Sequence, residues 1–134
     1  MVRISEKLFA GRKLFATATK FSIILLLLAG TRGCFPAENA LPDILFLYPI
    51  ANDYIQVGDT VKINVDVADP DGHIAEFWIL IDSTEIYRTN DQRFSYAWNT
   101  GGWEPGKHNI LAGASDNEDG KMTVSIPVYL VDDK

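Results

Sequence analysis

From Val61 onward the apolar residues recur at every second position, and this period of two constrains the chain more than any other feature. Val61, Ile63, Val65 and Val67 alternate with Lys62, Asn64, Asp66 and Ala68. A strand turns successive side chains to opposite faces, so this run offers one face to a core and one to water. The same alternation returns in Phe94, Tyr96 and Trp98, in Ile110, Ala112 and Ala114, and in Val124, Ile126 and Val128. Turn residues fall between the runs: Gly58-Asp59, Asp69-Pro-Asp-Gly72, Asp82-Ser83, Gly101-Gly102, Pro105-Gly106 and Asp116-Asn-Glu-Asp-Gly120. Glycine supplies positive φ there, while Asp and Asn bond their own backbone.

This spacing predicts an all-β chain with strands over 43–48, 53–57, 60–68, 74–82, 85–89, 93–98, 107–115 and 121–131. No helix is expected after residue 34. Pro127 carries no amide donor, which places the last strand at a sheet edge or interrupts it. In the segment 74–82 one face is Ala75, Phe77, Ile79 and Ile81, with no charge, and is assigned inward. Trp78 and Leu80 then point outward beside Glu76. The alternative turns Trp78 into the core.

The charge is unevenly spread. Residues 1–33 hold six basic residues and one acid, net +5, while 34–134 hold six basic residues and seventeen acids, net −11. Arg3, Lys7, Arg12, Lys13 and Lys20 precede an apolar run over 21–30. That run falls short of the roughly 20 residues that span a bilayer. A basic head before a short apolar core reads as a signal peptide over 1–33, a signal helix preceding the sandwich. A buried helix is the other reading, but no second helical pattern exists to pack against it. Cys34 is the single cysteine, which excludes an internal disulfide and a multi-cysteine zinc site. A free thiol in an exported protein would meet oxidants, so a modified Cys34 is expected. Residues 34–42, with Pro36 and Pro42, read as a short extended tether, and the folded domain as 43–131.

The segment ending in Gly33-Cys34 resembles the lipobox of bacterial lipoproteins, where a small residue precedes the lipid-bearing cysteine. Thr31 and Arg32 depart from its usual aliphatic and small residues. The resemblance implies lipidation at Cys34 and a membrane-attached body. The alternatives are a periplasmic or secreted form and an uncleaved anchor.

The run from Pro42 to Leu130 resembles a bacterial immunoglobulin-like domain. The matching residues are Gly58-Asp-Thr-Val61, Ala68-Asp-Pro-Asp-Gly-His-Ile74, Phe94-Ser-Tyr-Ala-Trp98, Gly106-Lys-His108 and Ala112-Gly-Ala-Ser-Asp-Asn117. The resemblance implies an immunoglobulin-like antiparallel β-sandwich of about seven strands. Arg93 stands where the pattern has proline before the aromatic strand, and the loop 117–120 carries an extra residue.

The acidic body excludes a nucleic-acid binder, which needs clustered Lys and Arg. In such a sandwich the loops holding Asp69 and Asp71 and holding Asp116 and Asp119 meet at one end. Converging carboxylates there form a candidate Ca²⁺ site, although neither loop has EF-hand spacing. Turn chemistry on an acidic surface explains the same residues, and no cofactor is required. For catalysis the chain offers His73 and His108, no G-x-S-x-G, and a cysteine outside the domain. No enzyme is expected, and His108 has inward parity, supporting the turn at Gly106. Trp78, Leu80, Tyr87 and Trp103 are the candidate binding residues, since aromatic faces stack on sugars or anchor proteins. The expectation is an extracytoplasmic envelope lipoprotein with one non-catalytic module. Its partners are the membrane, through the lipid, and a protein or polysaccharide. A carbohydrate-binding module and a calcium-stiffened spacer or accessory subunit are the alternatives.

Overall fold

The computed structural model describes residues 33–133. The signal-peptide reading of 1–33 therefore lies almost wholly outside the described residues. A compact unit begins at Glu38. It contains β1 (Asp43–Tyr48), β2 (Tyr54–Gln56), β3 (Thr60–Ala68), β4 (Ile74–Ile81), β5 (Thr84–Thr89), β6 (Ser95–Asn99), β7 (Gly106–Asp116) and β8 (Lys121–Val131). No helix occurs among the described residues. The strands form a sheet of order β1-β3-β6 and a second of order β2-β8-β7-β4-β5. Every pairing is antiparallel except β2 with β8.

The period of two sets which face of each sheet is buried. Val61, Ile63, Val65 and Val67 of β3 face Phe77, Ile79 and Ile81 of β4, Ile110, Ala112 and Ala114 of β7, and Val128 and Leu130 of β8. Each fully buried large aliphatic side chain contributes about 1.5–3 kcal/mol by leaving water. Past Tyr48 the chain crosses from one sheet to the other, because β1 pairs with β3 and β2 with β8. The N-terminal strands thus belong to both layers. The eight strands match the segments the spacing predicts, with β2 in the place of 53–57, and are one more than the immunoglobulin-like resemblance implies.

Two details correct the sequence reading. Ala75 opens the face assigned inward, yet it is exposed, while Ile74 beside it is buried at 5%. The cause is a register shift: Ile74 faces Asp116, but Glu76 faces Ser115, so one extra residue on β4 inverts the first position. The strand also ends at Ile81, one residue earlier than expected, because Asp82 and Ser83 adopt φ of 46° and 72°. Pro127 sits where its missing donor does no harm. The Tyr129 amide donates to the Asp53 carbonyl and the Asn52 amide to the Pro127 carbonyl, so residues 127 and 129 both present their backbone groups to the outer edge of β8.

Ile81 pairs with Thr84, so Asp82-Ser83 is a two-residue hairpin turn with both central residues left-handed. That geometry matches strand twist but favours glycine at the second position. The Asp82 amide donates to the Asn109 carbonyl, and its Oδ1 accepts the Asn109 amide at 2.8 Å. Asp82 is thereby held, while Ser83 bears the steric cost of a left-handed residue. Ser83→Gly is expected to stabilise the domain by roughly 0.5–1 kcal/mol, raising the thermal midpoint by a few degrees in calorimetry.

Candidate functional site

The outer face of the five-stranded sheet brings an indole, a guanidinium and two carboxylates together. Trp78 on β4 lies across from Arg88 of β5 on one side and Gly113 of β7 on the other. A Cβ at Gly113 would fall 2.2 Å from the indole ring, so the ring rests on bare backbone that only glycine supplies. Arg88 Cζ lies 5.1 Å from the Trp78 ring centroid, within cation–π range. The same guanidinium bridges two carboxylates, donating to Glu76 Oε2 at 2.6 Å and, through Nε and Nη2, to Glu85 at 2.8 and 2.6 Å. Glu85 shifts below its ordinary range chiefly through the Arg88 hydrogen bond, and Arg88 shifts up through Glu85 first and Glu76 second. These groups are well exposed, so the network orders the surface more than it stabilises the fold. Leu80 pairs with Leu111 beside it, both half-buried.

The other two candidate binding residues lie elsewhere. Tyr87 pairs with Ile79 and turns inward. It packs on Phe77 and Tyr96 with centroids 6.3 and 5.0 Å away, and its hydroxyl donates to the Arg93 carbonyl. Trp103 stands edge-on to Trp98 at 5.5 Å and to His108 at 5.6 Å. Trp98, not Trp78, is the tryptophan of the core, at 2% exposure. Parity alone shows which face of a strand a residue occupies, but not which face a loop residue such as Trp103 will pack on.

His108 is buried at 8%, with Nδ1 2.5 Å from Asp82 Oδ2 and Nε2 2.7 Å from the Glu104 carbonyl oxygen. Both ring nitrogens are engaged, and together they tie the β4–β5 turn to the loop before Gly106. Thr100, fully buried, does the same for the β2–β3 turn. Its Oγ1 accepts the Gly58 amide at 2.9 Å and lies within donating distance of the Gln56 and Asp59 carbonyls. Periodicity gives no sign of Thr100, because its role is to satisfy the backbone of a loop more than 40 residues earlier.

At the opposite pole the acidic loops meet as the topology implied. Asp69 Oδ1 accepts the Asp71 amide at 3.3 Å, whereas Asp69 Oδ2 is buried with no hydrogen-bond partner. Asp71 Oδ2 accepts the Ala40 amide at 2.9 Å. Asp116 Oδ1 accepts the amides of Glu118 and Gly120, both at 2.8 Å, and Oδ2 accepts the Asn39 side-chain amide at 2.9 Å. Asp119 is a left-handed turn residue, φ 67°. Asn117 Oδ1 accepts the His73 amide at 2.9 Å. A Cβ at Gly72 would lie 2.3 Å from Asn117 Oδ1 and 2.6 Å from Asp69 Oδ2, so both oxygens crowd over that glycine. Among the described residues no group of three or more His, Cys, Asp or Glu side chains is disposed to hold a metal ion. Two of the four candidate ligands, Asp71 and Asp116, are tying loops and tether together. Asn39 and Ala40 are the participants that the sequence reading missed, since an aperiodic tether gives no sign of which residues dock.

This assembly is an immunoglobulin-like sandwich, two sheets closed over one core. The chain belongs to the bacterial Ig domain family, whose model matches residues 42–112. Among solved structures it is similar to the fibronectin(III)-like modules of Clostridium thermocellum CbhA, with a TM-score of 0.60 and 22% identity over 69% of this chain and 47% of that one. It is also similar to part of the endo-β-1,4-mannanase from Thermotoga petrophila, at TM-score 0.57 and 12% identity over 72% of this chain and 21% of that one. The PKD1 domain of Vibrio anguillarum Epp aligns at TM-score 0.51 and 15% identity, over 69% of this chain and 96% of that one. The chain thus spans about half the length of the first and a fifth of the second. These likenesses show the fold alone. No curated protein sequence matches the chain significantly.

Two carboxylates link this geometry to pH. Partial burial pushes Asp82 up, but the Asn109 amide and His108 outweigh it and leave the group below its ordinary 3.8. Asp116 is lowered first by Asn39, against burial, with the Glu118 and Gly120 amides adding to the effect. A lowered native value means stability that is full above the unfolded pKa and lost as pH falls through the native one. Asp82→Asn is expected to melt below the unsubstituted protein at pH 7. The gap should close as pH falls below the ordinary 3.8, in a series of thermal melts.

Proposed function

We propose that the chain is a bacterial envelope lipoprotein, anchored through Cys34, whose single immunoglobulin-like domain is a non-catalytic binding or structural module. The observation that carries the reading is the position of Cys34, exposed and alone, between the apolar run 21–30 and the compact unit that begins at Glu38. Acyl chains on that sulfur would bind a bilayer by about 0.8 kcal/mol per buried CH₂. The non-catalytic role is supported by the use of the polar groups. His108 has both nitrogens engaged, and the carboxylates of Asp71, Asp82 and Asp116 hold loops. The Trp78 face, with Arg88, Glu76, Glu85 and Leu80, is the surface offered to a partner. A protein fits it better than a sugar, because Arg88 lies over the ring that a sugar would stack on. The location that follows is extracytoplasmic.

In cells expressing the chain, intact mass of the membrane fraction should show Cys34 as the acylated N-terminal residue. Cys34→Ala should move the protein out of that fraction. An unmodified Cys34 in a soluble protein would end the anchored reading.

A second reading rests on Asp69 Oδ2, a buried oxygen without a partner beside Asn117 Oδ1. An unsatisfied buried carboxylate oxygen costs free energy that a bound Ca²⁺ would offset, so this pole is a candidate calcium site that stiffens a spacer. Added calcium should raise the melting midpoint by several degrees and EDTA should reverse it, with no response in Asp69→Ala. An unchanged midpoint in the unsubstituted protein would leave these residues as turns.

A further inference from the structure

The tether stops being free at Asn39. Its side-chain amide donates to Asp116 Oδ2 and the next backbone amide, Ala40, donates to Asp71 Oδ2, each at 2.9 Å. Gly120 makes room for this contact, because a Cβ there would lie 2.7 Å from Asn39 Nδ2 and 2.3 Å from Asp116 Oδ2. Pro42 is then fully buried and β1 begins at Asp43. Residues 35–38 alone separate Cys34 from the first fixed residue. Five Cα steps reach at most about 18 Å, whatever path they take. The loops that hold the tether, 69–73 and 117–120, lie at one end of β7, whose eleven residues extend for roughly 35 Å. Trp103, Gly106 and the Asp82-Ser83 turn lie at its other end.

We infer that the tether is a clamp that sets orientation. A lipid at Cys34 holds the acidic loop pole against the membrane surface, with the Trp103 pole facing away. The inference takes the anchored Cys34 from the reading above, but adds which end of the domain a partner on the outside can reach. Covalent reach sets the orientation. Asp69, Asp71, Glu118 and Asp119 would repel an anionic leaflet only within a Debye length of about 8–10 Å. Among the described residues the large exposed apolar side chains are Phe35, Leu41, Leu45, Leu47, Tyr48, Ile50 and Tyr54, all in the first stretch after Cys34. They offer the competing pose, a sandwich lying on the β1 edge.

The test supplies the anchor chemically, so that it does not depend on whether cells acylate Cys34. The full chain, whose only thiol is Cys34, is coupled to maleimide-bearing lipid in phosphatidylcholine vesicles and compared with the uncoupled chain by hydrogen–deuterium exchange. Amides of 69–73 and 117–120 should exchange several-fold more slowly on the vesicle, while those of 101–106 stay unchanged. Inserting ten Gly/Ser residues between Pro36 and Ala37 should remove the difference. Equal exchange at both poles, slowing over 43–50 instead, or slowing that survives the insertion would each overturn the clamp. An unacylated Cys34 in cells would overturn the lipoprotein reading and leave this result standing.

Discussion

Burial of one face of each sheet against the other is what the rest of the structure depends on. The domain has no disulfide, because Cys34 is the only cysteine, and a unit of this size has little apolar surface to spare. Ile63, Phe77, Ile79, Ile81, Ile110 and Val128 are all at 0% exposure. Every loop must therefore leave the strands in register, since a one-residue slip would turn these side chains to water. The ties from Thr100, His108 and Asp116 serve that end. Each closes a turn whose backbone groups would otherwise be free.

Most of this architecture was legible in the sequence, because the period of two is a local signal. Val61 to Val67, Ile110 to Ala114 and Val124 to Val128 show their inward sets without reference to any partner strand. What was not legible depended on partners. The extra residue at the start of β4 is visible only when Asp116 and Ser115 are opposite it. The inward turn of Trp103 depends on Trp98 and His108. The sequence located the acidic loops and the topology joined them. Which carboxylate bonds which amide was settled by Asn39 and Ala40, far away along the chain.

The candidate surfaces differ in what holds them. Trp78 is positioned by an absence of side chain at Gly113 and by a guanidinium already committed to two carboxylates, so that face is ordered before any partner arrives. The loop pole is ordered by its own tether. The family match ends at residue 112, inside β7, so the loop 117–120 and its contact with Asn39 lie outside the matched region.

The parallel pairing of β2 with β8 also determines how the domain meets mechanical load. Tyr54, Ile55 and Gln56 lie beside Tyr129, Leu130 and Val131 in the same direction. A pull on the N-terminal side of β2, resisted on the C-terminal side of β8, slides these strands past each other. The hydrogen bonds between them then share the force together, whereas a hairpin pulled from its open end would lose them one at a time. A tug arriving from the Cys34 side reaches that joint only after it has loaded the Asn39 and Ala40 contacts and the pairing of β1 with β3.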